Sequence, residues 1–315
     1  MSKQKFISCD WGTSALRLRL VDIENRTVLA EAESRYGIAA THELWKINGE
    51  SEEDRLEIYL SVLYTQLESL QEKSKVKLKN IPMIISGMAC SSIGMIELPY
   101  KEMPFSLDGS DLEIKTIHLK NDFDHDLFMV SGARTSKDVM RGEETQLIGC
   151  IENAGDKEQL FIFTGTHSKH VMIKDKKAID IRTYMTGELF DLLSRKSVLA
   201  NNISESTELI TKSFEKGIAD DAEMNLLHSL FMIRANSLLD KASKEENYSY
   251  LNGLLIGHEL KEIKNITNPI VIVGNERLRK LYKAAAVKLG ISDVQYFDAG
   301  ETIVNGHSKI FKAYL

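Results

Sequence analysis

The chain has 315 residues, 43% hydrophobic and 27% charged, with a formal net charge of −6 at pH 7. This length is enough for two domains of ordinary size, and the composition is typical of a soluble globular protein. The acidic balance and the absence of a basic stripe argue against a nucleic-acid partner, and no apolar run is long enough to cross a membrane. Three scattered cysteines without paired spacing indicate a reducing compartment, so we expect a cytoplasmic protein.

Residues 1–134 are predicted to form an α/β domain. Strand patterns occupy residues 5–10, 15–22 and 27–34. Within the second of them, "LRLRL" alternates apolar and basic residues, which is typical of a half-buried strand. Leucines at helical spacing predict a helix over 52–72, and the apolar run "IPMIIS" predicts a buried strand over 81–86.

Residues 135–315 repeat this order and are predicted to form a second α/β domain. A helix is expected over 136–152, and three strands follow at 159–163, 169–175 and 178–184. Further helices precede a buried strand over 268–275, and a closing helix over 300–313 could return to the first domain.

The repetition is the most informative feature of the sequence. In each half the first strand ends in a turn rich in glycine and hydroxyl groups, "DWGTS" at 10–14 and "TGTHS" at 164–168. This pattern predicts two α/β domains of similar topology that face each other across a cleft. Their two turns would then point at one ligand.

Such turns are suited to phosphate. A tight glycine turn presents backbone N–H groups to an anion, and threonine and serine add hydroxyl donors. The predicted phosphate-binding residues are Gly12, Thr13, Ser14, Gly165, Thr166, His167, Ser168 and Lys169. The alternative is that both are plain hairpin turns. A zinc site at the histidines of the second turn lacks an evident third ligand.

The ligand that fits two phosphate turns is ATP with Mg²⁺. Asp10, at the end of a strand, is the predicted magnesium ligand, directly or through water, because Mg²⁺ takes one or two carboxylates and keeps much of its water shell. The strand that ends at Gly274 and Asn275 could place adenine or ribose against those two residues.

Transfer of a phosphoryl group also needs a carboxylate that accepts the proton of the attacking hydroxyl. Glu143 and Glu144 follow Gly142 at the start of a helical pattern and are the candidates. Carboxylates in the first turn of a helix are also ordinary partners of the helix dipole. Arg182 and Glu188, near the end of the third strand of the second half, are candidates for substrate or structural contacts.

Several motifs together resemble the 2-dehydro-3-deoxygalactonokinases, sugar-acid kinases of the actin–hexokinase superfamily. The resemblance runs over nearly the whole chain and is carried by "DWGTSALRLRLVD", "DVMRGEETQLIG", "TGTHSKH", "IRTYMTGELFDLL" and "LNGLLIGHEL". It implies two ribonuclease-H-like domains of the actin and hexokinase type, with mixed sheets on either side of a nucleotide-binding cleft.

The resemblance also implies a reaction. The γ-phosphate of MgATP would pass to the terminal hydroxyl of 2-dehydro-3-deoxy-D-galactonate and give the 6-phosphate, with Glu143 as base and Glu144 as second choice. The side of the cleft that binds sugar would then be the edge at Ser86, Gly87 and Met88. Arg134 and Arg141 are nearby cations suited to a carboxylate, although either could instead serve a structural ion pair.

The chain departs from the family pattern at two places. The family shows Arg and Trp where this chain has Ser92 and Met95 in "GMACSSIGM", and Trp where it has His170. The alternatives are therefore a kinase for another sugar or sugar acid, an ATPase on the same fold, or a sugar sensor without catalysis. The substrate's stereochemistry, the nucleotide preference and the choice of base stay open, and the chain could form a homodimer.

Overall fold

The computed structural model describes residues 5–49, 51–119, 124–150 and 158–314. The strands are β1 (Lys5–Trp11), β2 (Leu16–Asp22), β3 (Thr27–Ser34), β4 (Met83–Gly87), β5 (Lys101–Glu102), β6 (Phe105–Ser106), β7 (Ile114–His118), β8 (Asp126–Val130), β9 (Ala133–Arg134), β10 (Val139–Met140), β11 (Gln159–Phe163), β12 (Ser168–Lys174), β13 (Lys177–Tyr184), β14 (Ile270–Gly274) and β15 (Val294–Asp298). The helices are α1 (Ile38–Asn48), α2 (Glu52–Ser74), α3 (Glu143–Gly149), α4 (Thr186–Lys196), α5 (Thr211–Glu223), α6 (Leu226–Leu239), α7 (Lys244–Leu260), α8 (Glu276–Leu289) and α9 (Ala299–Tyr314).

The chain divides into two compact units. Unit 1 consists of Met1–Lys157, Met172–Ile181 and Ala299–Leu315. Its main sheet has the strand order β3-β2-β1-β4-β8-β7, in which β1 is antiparallel to β2 and parallel to β4. The three leucines of β2 are fully buried as predicted, but the strand is not half-buried, because Arg19, Val21 and Asp22 are buried as well. The three predicted strands are neighbours in the sheet, since β2 pairs antiparallel with both β1 and β3.

The helix predicted over 52–72 is α2. It begins with a capping box in which the Ser51 side chain accepts from the Asp54 amide and the Asp54 carboxylate accepts from the Ser51 amide. Its buried face packs into the core of unit 1, where the rings of Trp11 and Tyr59 lie 5.6 Å apart. The buried face of α2 is therefore the face that the leucine spacing predicts.

The helix predicted over 136–152 is wrong in its first part. Val139–Met140 form β10, which pairs antiparallel with β9, and α3 begins only at Glu143. The break falls at Gly142, whose φ of 104° lies outside the helical region and in a conformation that glycine adopts most readily. Residues 151 and 152 of the predicted helix lie outside the described residues.

The last helix, α9, packs closely against α3 in unit 1. A Cβ on Gly149 would lie 1.9 Å from the carbonyl oxygen of Thr302, and one on Gly306 would lie 2.0 Å from that of Thr145. The two backbones therefore touch without intervening side chains. The sequence prediction divided the chain after residue 134 and allowed the closing helix to return to the first domain; in the structure α9 belongs to unit 1.

Unit 2 consists of Glu158–Val171 and Arg182–Asp298. Its sheet contains β11, β14 and β15, and β14 runs parallel to both β11 and β15. The wholly apolar run "IVIVG" of β14 is fully buried, as a central parallel strand requires. Helix α7 is buried along most of its length and packs against α5, α6 and α8.

No helix within the described ranges is both long enough and apolar enough to cross a membrane.

Candidate active site

The turn after β1 is held by its backbone. The carbonyl oxygens of Gly12 and Thr13 accept hydrogen bonds from the first two amides of α1, at 3.0 and 3.1 Å. A Cβ on Gly37 would lie 2.4 Å from the Thr13 carbonyl oxygen, so no larger residue fits beside the turn. The Ser14 side chain is exposed. The predicted phosphate-binding residues of unit 1 thus form a fixed, accessible loop.

Asp10 lies beside this loop at the end of β1. Its side chain is 21% exposed, and its carboxylate lies 3.4 Å from the guanidinium of Arg17. Arg17 makes a shorter ion pair of 2.9 Å with Glu33. Asp10 is therefore close to solvent and only loosely paired, as a residue that orients a cation through water needs to be.

The loops that carry Asp10 and the two glutamates meet at the carboxyl ends of β1 and β4. In the parallel register Asp10 pairs with Ser86, and Trp11 pairs with Gly87. Gly87 has a φ of 90°, and a Cβ there would lie 2.8 Å from the Trp11 carbonyl oxygen. A Cβ on Gly142 would lie 3.3 Å from the Cα of Gly87. The start of α3 is thereby placed directly against the strand ends.

The two candidate bases differ in their surroundings. Glu144 is fully buried, and its carboxylate accepts from the Gly142 amide at 2.8 Å and from the Thr145 hydroxyl at 3.1 Å. Burial, and then the charge of Glu143, raise the pKa of Glu144 to about 8. Glu143 is half-buried and accepts from the Arg141 amide at 3.0 Å. Only the Glu143 side chain reaches solvent.

The predicted sugar-acid edge is mostly enclosed. Ser86 and Gly87 are buried, and Met88 is half-buried. The Ser86 hydroxyl lies 3.0 Å from Nε2 of His307 on α9, whose Nδ1 lies 2.8 Å from the Ser8 hydroxyl on β1. The Ser86 side chain is therefore used to join β4 to α9, and Met88 is the side chain of this edge that remains accessible.

The two arginines predicted for the substrate carboxylate stand in different environments. Arg134 is exposed and pairs with Glu102. The Arg141 guanidinium stacks 3.9 Å from the centre of the Tyr100 ring and donates to the Leu98 carbonyl oxygen at 2.8 Å. Its Nε and Nη1 atoms are buried and have no hydrogen-bond partner among the described residues. Arg141 thus has donor capacity that the described protein groups do not use.

The turn after β11 in unit 2 is supported by the start of α4. The amide of Glu188 donates to the Thr166 carbonyl oxygen at 2.9 Å, and the Glu188 carboxylate pairs with the His167 ring. A Cβ on Gly187 would lie 2.4 Å from the Gly165 carbonyl oxygen. A Cβ on Gly165 itself would meet no heavy atom of the described chain within 4 Å. The outer face of this turn is therefore open to a ligand.

The remaining predicted residues of this region point elsewhere. Ser168 and Lys169 are buried, and the Lys169 ammonium lies 3.4 Å from the His167 carbonyl oxygen. Arg182 is exposed and lies 3.5 Å from Glu262. Because the side chains of Ser168 and Lys169 are enclosed, the open part of the turn is its backbone with the Thr166 hydroxyl.

The end of β14 lies beside the same turn. A Cβ on Gly274 would lie 2.1 Å from the Thr164 hydroxyl oxygen, so the two strand ends are in direct contact. Asn275 caps α8, since its side-chain oxygen accepts from the Leu278 amide at 2.9 Å. The predicted pair of Gly274 and Asn275 therefore lies next to the phosphate turn of unit 2.

A cavity of about 310 Å³ opens in unit 2 near these elements. The rings of Phe190 and Tyr248 meet edge to face in its wall, and the Arg277 guanidinium lies 5.5 Å from the centre of the Tyr248 ring. Its lining is completed by Asp191, Ser194, Arg195, Ile203, Ser204 and Glu205. The two aromatic rings give this mostly polar cavity a surface on which a flat heteroaromatic ring can stack.

Sequence reasoning found the residues that lie in local motifs. In unit 1 the structure brings together Asp10, the turn at 12–14 and the pair of glutamates; in unit 2 it brings the turn at 164–166 beside Gly274 and Glu188. It missed His307 and the aromatic cavity, which are contributed by helices far away in the chain. An amphipathic helix pattern carries no signal for either.

This chain is similar to known proteins over nearly its whole length. Residues 10–310 match the family of 2-keto-3-deoxy-galactonokinases. A protein from Rhizobium meliloti, named as a probable 2-dehydro-3-deoxygalactonokinase, is 30% identical over 98% of this chain and 97% of its own. The 2-dehydro-3-deoxygalactonokinase of Escherichia coli is 28% identical over 91% of this chain and 90% of its own.

Solved structures agree with the fold. A crystal structure from Sinorhizobium meliloti, assigned to the same kinase, has a TM-score of 0.81 at 29% identity and covers 98% of this chain and 96% of its own. The activator of 2-hydroxyisocaproyl-CoA dehydratase from Clostridium difficile, with bound ADPNP, has a TM-score of 0.51 at 10% identity and covers 99% and 98%. The predicted actin and hexokinase type of fold is confirmed. From the match over residues 10–310 and the 30% identity, the chain belongs to the 2-keto-3-deoxy-galactonokinase family, and the predicted kinase class is confirmed.

Proposed function

We propose that this protein transfers the γ-phosphoryl group of MgATP to the terminal hydroxyl of 2-dehydro-3-deoxy-D-galactonate. The observation that carries the proposal is the meeting of Asp10, Gly87 and the Gly142–Glu143 step at adjacent strand ends, in a chain that matches the family over residues 10–310. A cation ligand and a carboxylate base at one sheet edge are what phosphoryl transfer to an alcohol requires.

Glu143 is proposed as the general base. Its side chain is half-buried and sits in the first turn of α3, whose start is fixed against the Asp10 strand by Gly142 and Gly87. Glu144 is enclosed, and its raised pKa of about 8 keeps its carboxyl largely protonated at neutral pH. A base must reach the attacking hydroxyl, and this requirement favours Glu143 over Glu144.

In unit 1, Asp10 is proposed to hold the cation and the loop of residues 12–14 to bind phosphate; in unit 2, the turn of residues 164–166 is proposed to bind phosphate. Asp10 fits magnesium bound through water, since its carboxylate is partly exposed and only loosely paired. The open backbone of residues 164–166 and the exposed loop of residues 12–14 supply N–H and hydroxyl donors. Magnesium, when bound, would neutralise charge on the phosphate oxygens.

The aromatic cavity of unit 2 is proposed to receive the adenosine part of ATP. Its volume of about 310 Å³ and its Phe190–Tyr248 wall suit a purine ring, and Arg277 follows the Asn275 cap by two residues. This interpretation refines the sequence prediction: Gly274 and Asn275 set the position of the nucleoside site, and the cavity side chains supply its walls.

Arg141 is the proposed partner of the substrate carboxylate. Arg134 and Arg182 already pair with Glu102 and Glu262, whereas two donor atoms of Arg141 have no partner among the described residues. A guanidinium that no carboxylate of the described chain neutralises suits the negative charge of a sugar acid.

The loop that departs from the family pattern is well packed in this chain. Met95 is buried in the core of unit 1, and the carbonyl oxygens of Ser92 and Gly94 accept from the Arg55 guanidinium of α2, each at 2.5 Å. Because this loop departs from the family pattern, another sugar acid is the second candidate substrate.

The three free cysteines are all buried, which supports a reducing, cytoplasmic location.

The test is ADP production by the purified protein with Mg²⁺ and ATP, against 2-keto-3-deoxy sugar acids, other sugar acids and neutral hexoses. We expect turnover with the galactonate acid that Glu143→Gln lowers by at least a hundredfold, while the same change at the exposed Glu97 leaves it intact. Turnover with a different acid alone would move the substrate assignment. Steady ATP hydrolysis that no sugar acid changes would overturn the kinase proposal in favour of an ATPase.

A further inference from the structure

A buried carboxylate lies beneath the phosphate turn of unit 2. Glu259, near the end of α7, has a side chain only 1% exposed. Its Oε1 accepts from the Ser168 hydroxyl at 2.7 Å and contacts Nε2 of His170 at 2.9 Å. Its Oε2 accepts from the Thr186 hydroxyl at 2.5 Å and from the Tyr282 hydroxyl at 2.6 Å. Four donors thus converge on the two oxygens.

The four donors come from three elements that border the proposed nucleotide site. Ser168 and His170 are on β12, directly after the phosphate turn. Thr186 begins α4 and precedes Gly187, which touches the backbone of that turn. Tyr282 is on α8, the helix that follows the end of β14. One carboxylate therefore sets the mutual positions of the turn, the start of α4 and α8.

The network keeps Glu259 charged. Burial alone would raise the pKa of its carboxyl, but hydrogen bonds from His170, Thr186 and Tyr282, together with the charge of His170, outweigh burial and lower that pKa. Burial, then the charge of Glu259, raise the pKa of the Tyr282 phenol, which therefore stays a donor. An ionised carboxylate is a stronger acceptor than a neutral amide, so it can hold four donors at once.

We propose that Glu259 is a positioning residue for nucleotide binding, which holds the second phosphate turn in its open shape through Ser168, His170 and Thr186. This inference rests on the proposed function, in which that turn binds the phosphates of ATP.

A structural ion pair without a role in binding makes a different prediction. Losing such a pair would destabilise unit 2 and affect the two substrates alike. A positioning residue of the phosphate turn should instead weaken nucleotide binding while leaving the sugar-acid side unaffected. The comparison of the two substrates therefore separates the two roles.

The test variant is Glu259→Gln, which replaces one acceptor oxygen by a donor and so breaks two of the four contacts. The exposed Glu262, three residues further on, provides the matched control Glu262→Gln. The first readout is the Kd of Mg·ADP by calorimetry. The second is the KM for ATP beside the KM for the sugar acid. In Glu259→Gln we expect the Kd of Mg·ADP and the KM for ATP to rise about tenfold to a hundredfold. The KM for the sugar acid should stay within about twofold of the wild-type value.

Milder variants keep the test decisive if Glu259→Gln does not fold. Tyr282→Phe and Thr186→Val each remove one donor and preserve the packed shape, and we expect each to raise the Kd of Mg·ADP by about threefold to tenfold. His170→Gln retains an N–H donor, so it should bind Mg·ADP more tightly than His170→Leu does. A purely packing role of His170 does not predict this difference.

The inference is overturned if Tyr282→Phe and Thr186→Val bind Mg·ADP like the wild type, or if the two KM values rise together. It is also overturned if the wild type binds no Mg·ADP. Nucleotide binding without turnover of any sugar acid would remove the proposed substrate and leave the inference standing, because calorimetry with Mg·ADP needs no acceptor.

Discussion

His307 predicts a specific dependence of stability on pH. The ring is fully buried between the Ser8 and Ser86 hydroxyls, and burial, then the charge of Arg19, lower its pKa from 6.5 to about 3. Between those pH values only the unfolded chain takes up a proton at this position. The free energy of unfolding therefore falls as the pH falls below 6.5, by about 1.4 kcal/mol for each pH unit.

The perturbation is His307→Gln, which removes the titrating group and keeps a polar side chain. At pH 7.5 we expect the variant to be less stable by about 1–3 kcal/mol, because a buried hydroxyl loses a partner. Between pH 7.5 and 5.5 only the wild type loses stability through protonation of this histidine in its unfolded chain. The difference between the free energies of unfolding of the two proteins should therefore decrease by about 1.4 kcal/mol.

Urea unfolding followed by tryptophan fluorescence measures this gap. Both tryptophans of the chain, Trp11 and Trp45, lie in unit 1, which also contains His307. The same substitution at the exposed His228 gives the effect of removing an imidazole from the surface. A gap that stays constant from pH 7.5 to 5.5 would refute the reasoning, because it would mean that the folded protein protonates His307 as readily as the unfolded chain.

Three further outcomes follow from unit 1. Because the folded-state pKa of Glu144 is raised from 4.5 to about 8, Glu144→Gln should gain about 2.3 kcal/mol relative to the wild type between pH 6 and 8 in urea unfolding, and parallel curves would contradict this. Gly306→Ala would place a Cβ 2.0 Å from the Thr145 carbonyl oxygen, so we expect a loss of about 1–3 kcal/mol and a lower kcat; unchanged values would show that α9 can shift freely. Arg141→Met should raise the KM for the sugar acid at least tenfold and leave that for ATP unchanged, whereas Arg134→Met, the control, should change neither; equal effects would contradict the assignment.

The fold was predictable where the signal was local. The alternation in β2, the apolar runs of β4 and β14 and the leucine spacing of α2 all mark buried faces, and burial is what selects these elements. Helix α1 was missed because its usual start signals are absent: Gly37 precedes it without a side-chain cap, and its first turn has no acidic residue. The two-residue strands β9 and β10 are too short to produce a period.

The site was predictable in part for a related reason. Asp10, Gly12 and Gly165 lie in turns whose chemistry is visible within five residues of sequence. The bonds of His307 to Ser8 and of Glu259 to His170 join positions 299 and 89 residues apart. Such pairs are created by tertiary packing, and a single sequence contains no pattern that records them.

The assignment of α9 to unit 1 has a consequence for how the protein is made. The ribosome synthesises the chain from its N-terminus, so all of unit 2 has been made once Asp298 has been added. At that stage unit 1 still lacks α9, the helix that packs against α3 and forms hydrogen bonds to β1 and β4. Domains usually fold in the order in which they are synthesised. Here the unit that contains the N-terminal strands is completed after unit 2, and the proposed catalytic helix α3 has no α9 to pack against until residues 299–314 emerge.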